Sequence, residues 1–226
     1  MKKLVVLTGA GMSAESGINT FRDADGLWEG HDVMQVASPE GFRENPALVL
    51  NFYNERRRQL LSVKPNTAHI ALADLEKKYD VTIITQNVDD LHERAGSTDI
   101  IHLHGELLKA RSIDNDTKFY NCNEDIHLGD LSPNGKQLRP HIVWFGEAVP
   151  LLEKAAEIAA TAAILVIIGT SMQVYPAASL INYVKPGIPI YFIDPKPSIH
   201  KSDFNNLEII AEKATAGVSQ LIESYL

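Results

Sequence analysis

The feature that most constrains this chain is a short apolar run that ends in a glycine-rich turn. Residues 4–7 are Leu-Val-Val-Leu, and Thr-Gly-Ala-Gly follows at residues 8–11. A continuous apolar, β-branched run is typical of a strand buried on both faces of a parallel sheet. The stretch from Ser13 to Ser16 then predicts the start of a helix. A strand, a glycine turn and a helix leave backbone N–H groups free to bind a pyrophosphate.

The spacing of this turn matches a dinucleotide-binding fingerprint, but the residues after it do not continue as in a dehydrogenase. Gly9, Gly11 and Ala14 give a G-x-G-x-x-A pattern, whose glycines allow a tight turn and close approach of a phosphate. A dehydrogenase would continue with a second strand and an acidic residue about 20 residues on. Residues 17–28 contain no such strand and instead suit a loop that covers a dinucleotide. The alternative is a glycine turn that only packs a helix on the sheet.

Further apolar runs predict a parallel sheet with one binding edge. Strands are predicted over residues 81–85, 100–103, 164–168, 188–193 and 208–211. Helices are predicted over residues 46–61, from Asn66 or Thr67 onward, 153–163 and 217–226. This alternation indicates an α/β fold. Polar tips follow the strands at Gly9-Ala10-Gly11, Gln86-Asn87, His104-Gly105, Gly169-Thr170-Ser171 and Asp194. Because the carboxyl ends of parallel strands face one crevice, the tips predict a single ligand site.

Length and composition narrow the class of protein. A chain of 226 residues can bury a full core, which suggests one domain with a small insertion. A net charge of −8 argues against a nucleic-acid or anionic-membrane partner. No apolar run approaches the ~20 residues that span a bilayer, and the run after Lys2-Lys3 is too short for a signal peptide. The single cysteine, Cys122, suits a reducing compartment. We therefore expect a cytoplasmic protein; no oligomeric state is indicated.

Together, several motifs resemble the signature of the sirtuin (Sir2) family. The first runs from Gly-Ala-Gly-Met-Ser at residues 9–13 through Ser16-Gly17-Ile18 to Phe21-Arg22. The others are TQNVDDLH at residues 85–92, HG at 104–105, VWFGE at 143–147 and GTS at 169–171. The resemblance extends over nearly the whole chain. It implies a Rossmann-like parallel sheet with helices on both faces, a small inserted module, and NAD consumed as a co-substrate.

The resemblance also implies a division of the single catalytic domain, residues 1–226. The Rossmann-like core would comprise residues of about 1–25, 80–108 and 142–226. A cofactor loop would cover about 17–35, a helical insertion about 36–79 and the small module about 109–141.

For the chemistry, His104 is the expected base, since the unperturbed pKa of histidine lies near 6.5. Asp89 could pair with the nicotinamide carboxamide, while Gln86 and Asn87 could hold the ribose. In sirtuins the histidine activates a ribose hydroxyl, and the acyl oxygen of an acyl-lysine attacks the ribose carbon. The products would be free lysine, nicotinamide and O-acyl-ADP-ribose. By resemblance the other NAD contacts are Gly9, Ala10, Gly11, Ser13, Ser16, Phe21, Arg22, Gly169, Thr170, Ser171, Asp194, Lys213 and Ala214.

Two of these assignments have alternatives. His102 and His104 point to the same side of a strand, so spacing alone does not choose the base; Gly105 and the family pattern favour His104. Asp89 could instead cap a helix, although Asp90 is the better candidate for that role.

The substrate side is predicted from two places in the chain. By resemblance, the segment of residues 143–147 offers a strand edge with which the substrate peptide pairs. Val143 and Phe145 of this segment would line the tunnel for the acyl-lysine side chain. Tyr53 and Arg56 share one face of the helix over residues 46–61, so a phenol and a guanidinium can bind one carboxylate together. The alternative is that Arg56 is a solvated surface arginine. Against this, Arg56 shares the apolar face of the helix, whereas Arg57 and Arg58 are expected to be rotated away from it.

The Tyr-x-x-Arg pattern is that of the class III bacterial sirtuins, which remove succinyl, malonyl or glutaryl groups. We therefore predict an NAD-dependent protein-lysine desuccinylase and demalonylase that also deacetylates. The alternatives are a plain deacetylase or an NAD-dependent mono-ADP-ribosyltransferase. A non-catalytic NAD-binding module and a dehydrogenase are less consistent with the motifs.

The expected structural metal of sirtuins has no ligand set here. Sirtuins usually hold zinc through two cysteine pairs between the catalytic histidine and the Phe-Gly segment, and this chain offers Cys122 with His127 nearby. A closed zinc site needs four ligands, so we predict no zinc. The small module is then expected to rely on its polar contacts and on four apolar residues: Phe119, Tyr120, Leu128 and Leu131.

Overall fold

The computed structural model describes residues 1–19 and 27–226. The predicted NAD contacts Phe21 and Arg22 lie outside the described residues. Among the helices described, none is long and apolar enough to cross a membrane.

The described part of the chain alternates strands and helices. Its strands are β1 (Lys3–Thr8), β2 (Leu27–Trp28), β3 (His31–Asp32), β4 (Asp80–Thr85), β5 (Ile100–His102), β6 (Gly105–Ser112), β7 (Asn115–Asn121), β8 (Leu138–Ile142), β9 (Ile164–Ile168), β10 (Ile190–Ile193) and β11 (Leu207–Ile210). Its α-helices are α1 (Val33–Val36), α2 (Pro39–Glu44), α3 (Pro46–Ser62), α4 (Thr67–Leu75), α5 (Leu91–Ala95), α6 (Leu152–Thr161) and α7 (Ala214–Tyr225).

The central element is a six-stranded parallel sheet in the order β11-β10-β9-β1-β4-β5. Alternation along its strands divides the core into two layers. Leu4 and Val6 of β1 face a layer that includes α4 and α7. Val5 and Leu7 face the opposite layer, which includes α6. The sheet therefore carries helices on both faces, as the sequence predicts.

The chain after the glycine turn does not form the expected α-helix. Two short 3₁₀ turns, Ala10–Met12 and Ala14–Ser16, take its place. The Ser13 hydroxyl donates to Asp89 Oδ2 (2.8 Å) and makes no capping bond with the backbone. Gly17, at φ +96°, then ends the second turn in a left-handed conformation. The predicted helix start is therefore a single 3₁₀ turn that Gly17 ends.

The helical insertion is built around α3, which begins after Asn45. The Asn45 side chain accepts a hydrogen bond from Leu48 N (3.0 Å), and Pro46 occupies the first helical turn. The next helix, α4, has Asn66 as its cap, which settles the choice between Asn66 and Thr67.

The small module is a three-stranded antiparallel sheet in the order β7-β6-β8. Its strand β6 begins at Gly105, ahead of the predicted module start at residue 109. Of the apolar residues predicted to hold the module together, Leu128 and Leu131 are exposed, whereas the half-exposed Phe119 stacks on His141 of β8 with ring centres 3.9 Å apart. A small buried cluster of Leu50, Ala110 and Ile126 lies between the module and α3 instead.

Polar side chains of α3 anchor this module. Asn54 Nδ2 donates to Ile126 O (2.9 Å), and Ile126 N donates to Asn54 Oδ1 (2.9 Å). Arg57 is fully buried and donates from Nε to Leu107 O (3.2 Å) and from Nη1 to Asn54 Oδ1 (2.8 Å). Arg57 is therefore a structural residue of the interior. Arg58 forms an ion pair with Asp125.

Candidate functional site

Strand register brings the polar tips to one edge of the sheet, which we call the sheet rim. His102, Thr85, Thr8 and Ile168 are aligned as register partners across β5, β4, β1 and β9. Ile193 of β10 continues the row beside Ile168. The residues that directly follow these positions therefore lie along one line, and they include the predicted site residues Gly9, Gln86, Gly169 and Asp194.

The glycines of the rim are required by close backbone contact between two turns. Gly11 N donates to Gly169 O (2.8 Å), and Gly9 N donates to Ile168 O (3.0 Å). A Cβ atom on Gly11 would lie 2.7 Å from Gly169 Cα, and one on Gly9 would lie 2.8 Å from Gly169 O. Gly169 itself is at φ +62°, where a side chain is strained. The turns after β1 and β9 can thus approach only without side chains.

A buried hydrogen-bond network joins the first turn to the segment after β4. Asn87 Nδ2 donates to Gly9 O (3.0 Å) and to Ser13 Oγ (3.2 Å), and Ser13 Oγ donates to Asp89 Oδ2 (2.8 Å). Burial raises the pKa of Asp89, while the hydrogen bonds from Ser13 and Leu91 N oppose that shift. The predicted ribose and nicotinamide residues are therefore fixed relative to the glycine turn.

Asp89 also supplies the hydrogen bond at the start of α5. Leu91 N donates to Asp89 Oδ1 (3.2 Å), whereas Asp90 makes no side-chain cap. Asp90 was therefore the wrong choice of capping side chain. Asp89 uses one oxygen for the helix and the other for Ser13, so its carboxylate orientation is set from two sides.

His104 lies on the turn between β5 and β6 and is held in one tautomer. Its Nδ1 is 3.0 Å from Gln86 O, and because a carbonyl oxygen only accepts, Nδ1 carries the proton and Nε2 carries the lone pair. Burial lowers the pKa of His104 below its usual value, and the bond to Gln86 partly opposes this. The imidazole is thus neutral at neutral pH and able to accept a proton.

His102 is in a different state from His104. Its Nε2 is 2.7 Å from Glu93 Oε1, and its Nδ1 is 3.2 Å from Asn87 O. Burial alone would lower the pKa of His102, but the bond and ion pair with Glu93 outweigh burial and raise the pKa. Both ring nitrogens are engaged, so His102 is a structural ion-pair partner and leaves His104 as the available base.

The remaining predicted NAD contacts occupy the same rim. Gln86 Nε2 donates to Thr170 Oγ1 (3.1 Å), which links the tips of β4 and β9. Asp194 is buried and accepts from Lys196 N (2.8 Å). The carbonyl oxygen of Ser171 accepts from Ser198 Oγ (2.7 Å).

Lys213 and Ala214 lie at the start of α7, and the side chain of Glu15 reaches the residue that follows them, Thr215. Glu15 accepts from Thr215 N (2.9 Å) and from Thr215 Oγ1 (2.9 Å). The two residues are 200 positions apart, so no local sequence pattern predicts this contact. An acidic residue at the N-terminus of a helix is favourable, so Glu15 ties the glycine turn to α7.

A second concave region, which we call the side cleft, adjoins the rim and encloses about 470 Å³ of empty space including its mouth. It is lined by Ile18, Asn19, Trp28, Glu29, Tyr53, Arg56, Gln59, Leu60, Val88, Asp89 and Leu107. Asp89 therefore belongs both to the cleft and to the network around Ser13. The structure brings Tyr53 and Arg56 into this cleft, as their spacing on α3 predicts.

The guanidinium of Arg56 has free hydrogen-bonding capacity inside this cleft. Its Nε and Nη1 are buried and have no hydrogen-bond partner among the described residues. Its Nη2 is 3.4 Å from Glu55 Oε2, and its Cζ lies 4.5 Å from the centre of the Phe52 ring. Buried N–H groups without acceptors are costly, so this side chain is suited to an anionic ligand.

The segment after β8 has its amides already in use. Val143 N donates to His104 O (2.9 Å), Phe145 N to Ala37 O (2.9 Å) and Trp144 N to Glu147 Oε2 (2.8 Å). Val143 is partly buried and Phe145 is exposed. A peptide that paired with these three residues would have to donate to their carbonyl oxygens. The pairing and the tunnel role of Val143 and Phe145 stay predictions.

An ion-pair cluster holds this segment in place. Glu147 accepts from Arg139 Nη1 (2.6 Å) and from Arg111 Nη2 (3.2 Å). Arg139 also lies over the Trp144 ring, with its Cζ 3.2 Å from the ring centre. The sequence contains these charges, but no short-range pattern pairs them, because β6, β8 and the turn after β8 meet only in the folded chain.

Comparisons with known proteins agree with this geometry. The model of the Sir2 family matches residues 9–176. An NAD-dependent protein deacylase of Helicobacter pylori is 59% identical over 223 residues, covering 98% of this chain and 96% of that protein. An NAD-dependent protein deacylase of Bacteroides thetaiotaomicron is 56% identical over 228 residues, covering 98% and 97%.

Solved structures share the fold. A mutant Sir2 homologue in complex with ADP-ribose has a TM-score of 0.89 at 38% identity, covering 98% of this chain and 91% of that chain. A Sir2 homologue in complex with NAD has a TM-score of 0.87 at 39% identity, covering 98% and 88%. A Sir2 protein bound to an acetylated peptide has a TM-score of 0.79 at 29% identity, covering 97% and 92%. The predicted fold class is confirmed.

Proposed function

The chain belongs to the Sir2 family of NAD-dependent protein deacylases, and we propose that it acts on lysine side chains whose acyl group ends in a carboxylate, such as succinyl and malonyl groups. The resemblance to sirtuins is confirmed, and so is NAD-dependent deacylation. The acyl preference and the role of each residue are our proposals. We also expect the protein to act in the cytoplasm and without a nucleic-acid partner.

The sheet rim fits NAD. At Gly9 and Gly11 the turn leaves no room for a Cβ atom, and the buried Ser16 Oγ has no partner among the described residues. We infer that Gly9, Ala10, Gly11, Ser13, Ser16, Gln86, Asn87, Asp89, Gly169, Thr170, Ser171, Asp194, Lys213 and Ala214 hold the dinucleotide. When bound, NAD supplies the ribose carbon that receives the acyl oxygen, with nicotinamide as the leaving group.

In this arrangement His104 is the general base. Its neutral Nε2 accepts a ribose hydroxyl proton, while Nδ1 stays bonded to the Gln86 carbonyl oxygen. Asn87 and Asp89 orient the reacting end of the substrate through the network with Ser13. Burial keeps His104 uncharged, which is the state that a base needs.

The observation that carries the acyl preference is the guanidinium of Arg56. It lines the side cleft with two buried N–H groups that lack acceptors in the described part of the chain. The hydroxyl-bearing ring of Tyr53 lines the same cleft. An acyl carboxylate would accept from both groups, whereas an acetyl methyl group would leave the arginine without a partner.

The test is a panel of acetyl-, succinyl- and malonyl-lysine peptides, each with and without NAD, followed by mass spectrometry. We expect Arg56→Met to lower kcat/KM for desuccinylation by about 10- to 100-fold, since a hydrogen bond to a charged group contributes about 1.5–3 kcal/mol. Deacetylation should fall far less.

Arg58→Met is the matched control, since it removes the same group from the same helix outside the cleft. It should leave the ratio of desuccinylation to deacetylation unchanged. An equal loss of both activities in Arg56→Met would contradict the acyl preference. A peptide that gains the mass of ADP-ribose would instead indicate a mono-ADP-ribosyltransferase.

A further inference from the structure

Trp144 connects the small sheet to the side cleft through a hydrogen bond. Its Nε1 is 3.0 Å from Tyr53 Oη, across a sequence separation of 91 residues. Both side chains are buried, with exposed fractions of 3% for Trp144 and 1% for Tyr53. The two rings also stack, with centres 6.3 Å apart and planes 30° apart.

The direction of this hydrogen bond is fixed by chemistry. An indole N–H only donates, whereas a phenol oxygen donates one hydrogen and accepts at its lone pairs. Trp144 therefore occupies a lone pair of Tyr53, and the hydroxyl hydrogen must point elsewhere. Among the described residues, Trp144 is the only hydrogen-bond partner of Tyr53 Oη, and Tyr53 lines the side cleft beside Arg56.

We propose that Trp144 is a positioning residue for acyl-group selection. Its N–H holds the Tyr53 oxygen so that the phenol hydrogen points into the side cleft, where it donates to the carboxylate of a succinyl-type group. Trp144 does not line the cleft and acts only through Tyr53. This inference rests on the proposed acyl preference.

The small sheet sets the position of the indole. Trp144 N donates to Glu147 Oε2 (2.8 Å), and the Arg139 guanidinium lies against the ring. Glu147 is itself bound by Arg139 of β8 and Arg111 of β6. The small sheet, which has too few cysteines for a zinc site, thereby contributes to substrate selection through side-chain contacts.

The experiment compares Tyr53→Phe, Trp144→Phe and the double variant. The readout is kcat/KM for a succinyl-lysine peptide divided by kcat/KM for the acetyl peptide. We expect this ratio to fall about 10-fold or more in Tyr53→Phe and about 3- to 10-fold in Trp144→Phe. The double variant should match Tyr53→Phe, because the indole has no effect once the hydroxyl is absent. The loss should appear mainly as a higher KM.

Phe42→Leu is the control for packing. Phe42 contacts the Trp144 ring (centres 5.3 Å apart) without a polar atom, so the ratio should not change. The hydrogen bond is tested separately by the indole N–H resonance in nuclear magnetic resonance spectra. With two tryptophans in the chain, the Trp144 signal is assigned by its loss in Trp144→Phe. It should move upfield in Tyr53→Phe.

The outcomes separate this inference from the proposed function. A wild-type protein that removes acetyl but not succinyl groups would contradict both. Wild-type desuccinylation that depends on Arg56 but not on Trp144 would overturn the role of Trp144 alone. Additive losses in the double variant, or an unmoved indole resonance in Tyr53→Phe, would do the same.

Discussion

The sheet rim and the side cleft are held in place by different kinds of contact. At the rim, strand register and backbone approach fix the turns, as in the contact of Gly11 with Gly169. At the cleft, side chains from distant parts of the chain fix one another, as in the bond from Trp144 to Tyr53. The rim is therefore sensitive to added atoms, whereas the cleft is sensitive to lost polar groups.

The largest expected effect tests whether the rim contains the base. His104→Ala should lower kcat for nicotinamide release by about 10²- to 10⁴-fold, which is the usual contribution of a general base. The matched control is His102→Gln, whose histidine is bonded to Glu93 and Asn87. It should lose much less activity. Comparable losses in the two variants would mean that the tautomer argument for His104 is wrong.

The difference between the two regions also explains which parts of the molecule could be predicted. Each polar tip of the sheet rim follows an apolar run in the sequence. The order of apolar and polar residues was therefore enough to predict the positions of Gly9, Gln86 and Gly169. The spacing of Tyr53 and Arg56 on one helix was enough to predict that they share the side cleft. The bond from Trp144 that holds Tyr53 could not be predicted, because the orientation of Trp144 depends on contacts that form only between separate strands.

The contacts of the small module could be predicted only in part, for a related reason. Leu128 and Leu131 were expected to support the module, but they are exposed. The contacts that hold it are polar and long-range, such as Asn54 with Ile126. Fully buried Arg57 could not be distinguished from its neighbours by charge, since its burial depends on acceptors elsewhere in the chain.

The second prediction tests the sensitivity of the rim to added atoms. Gly11→Ala should lower the free energy of unfolding by about 3 kcal/mol, because its Cβ would lie 2.7 Å from Gly169 Cα and backbone cannot move aside cheaply. The control is Gly187→Ala, which meets nothing within 4 Å but is at φ +86°. It should cost about 1 kcal/mol from backbone strain. Denaturant unfolding measures both, and equal costs would refute the close-approach argument.

The third prediction separates the two regions by pH. Beneath the rim, His69 and His92 are buried with ring centres 4.8 Å apart, and His92 Nε2 is 3.1 Å from Thr8 Oγ1. Burial lowers the pKa of His69 to about 4 and lowers that of His92 as well. The unfolded chain, with a pKa near 6.5, then binds more protons, so stability falls as pH drops from about 6.5 towards 4.

The lowered pKa of His69 should reduce the free energy of unfolding by about 2–3 kcal/mol over this pH range. Glu147 changes stability in the same direction as His69, but in a lower pH range. Although burial opposes it, the bonds from Arg139 lower the pKa of Glu147, so its contribution is lost only at pH values below about 4.5. Unfolding near neutral pH and near pH 5 should show a smaller difference in His69→Gln than in the wild type. The exposed control His127→Gln should behave as the wild type.

The smallest expected effect concerns the charge balance of the side cleft. Glu29 lines the cleft with Arg56, at φ +52°. If the cleft receives a carboxylate, the partly exposed Glu29 is a like charge near the ligand, and this repulsion costs about 1 kcal/mol. Glu29→Gln should therefore lower KM for the succinyl peptide by about two- to fivefold and leave KM for the acetyl peptide unchanged.

Salt identifies the cause of this effect. Screening weakens the repulsion between exposed charges, so the gain in Glu29→Gln should shrink as ionic strength rises. Glu44→Gln, outside the cleft on α2, should show no gain at any salt concentration. A higher KM in Glu29→Gln would mean that Glu29 positions the guanidinium of Arg56. The cleft would then depend on one more polar contact between distant residues, which would sharpen its contrast with the backbone-built rim.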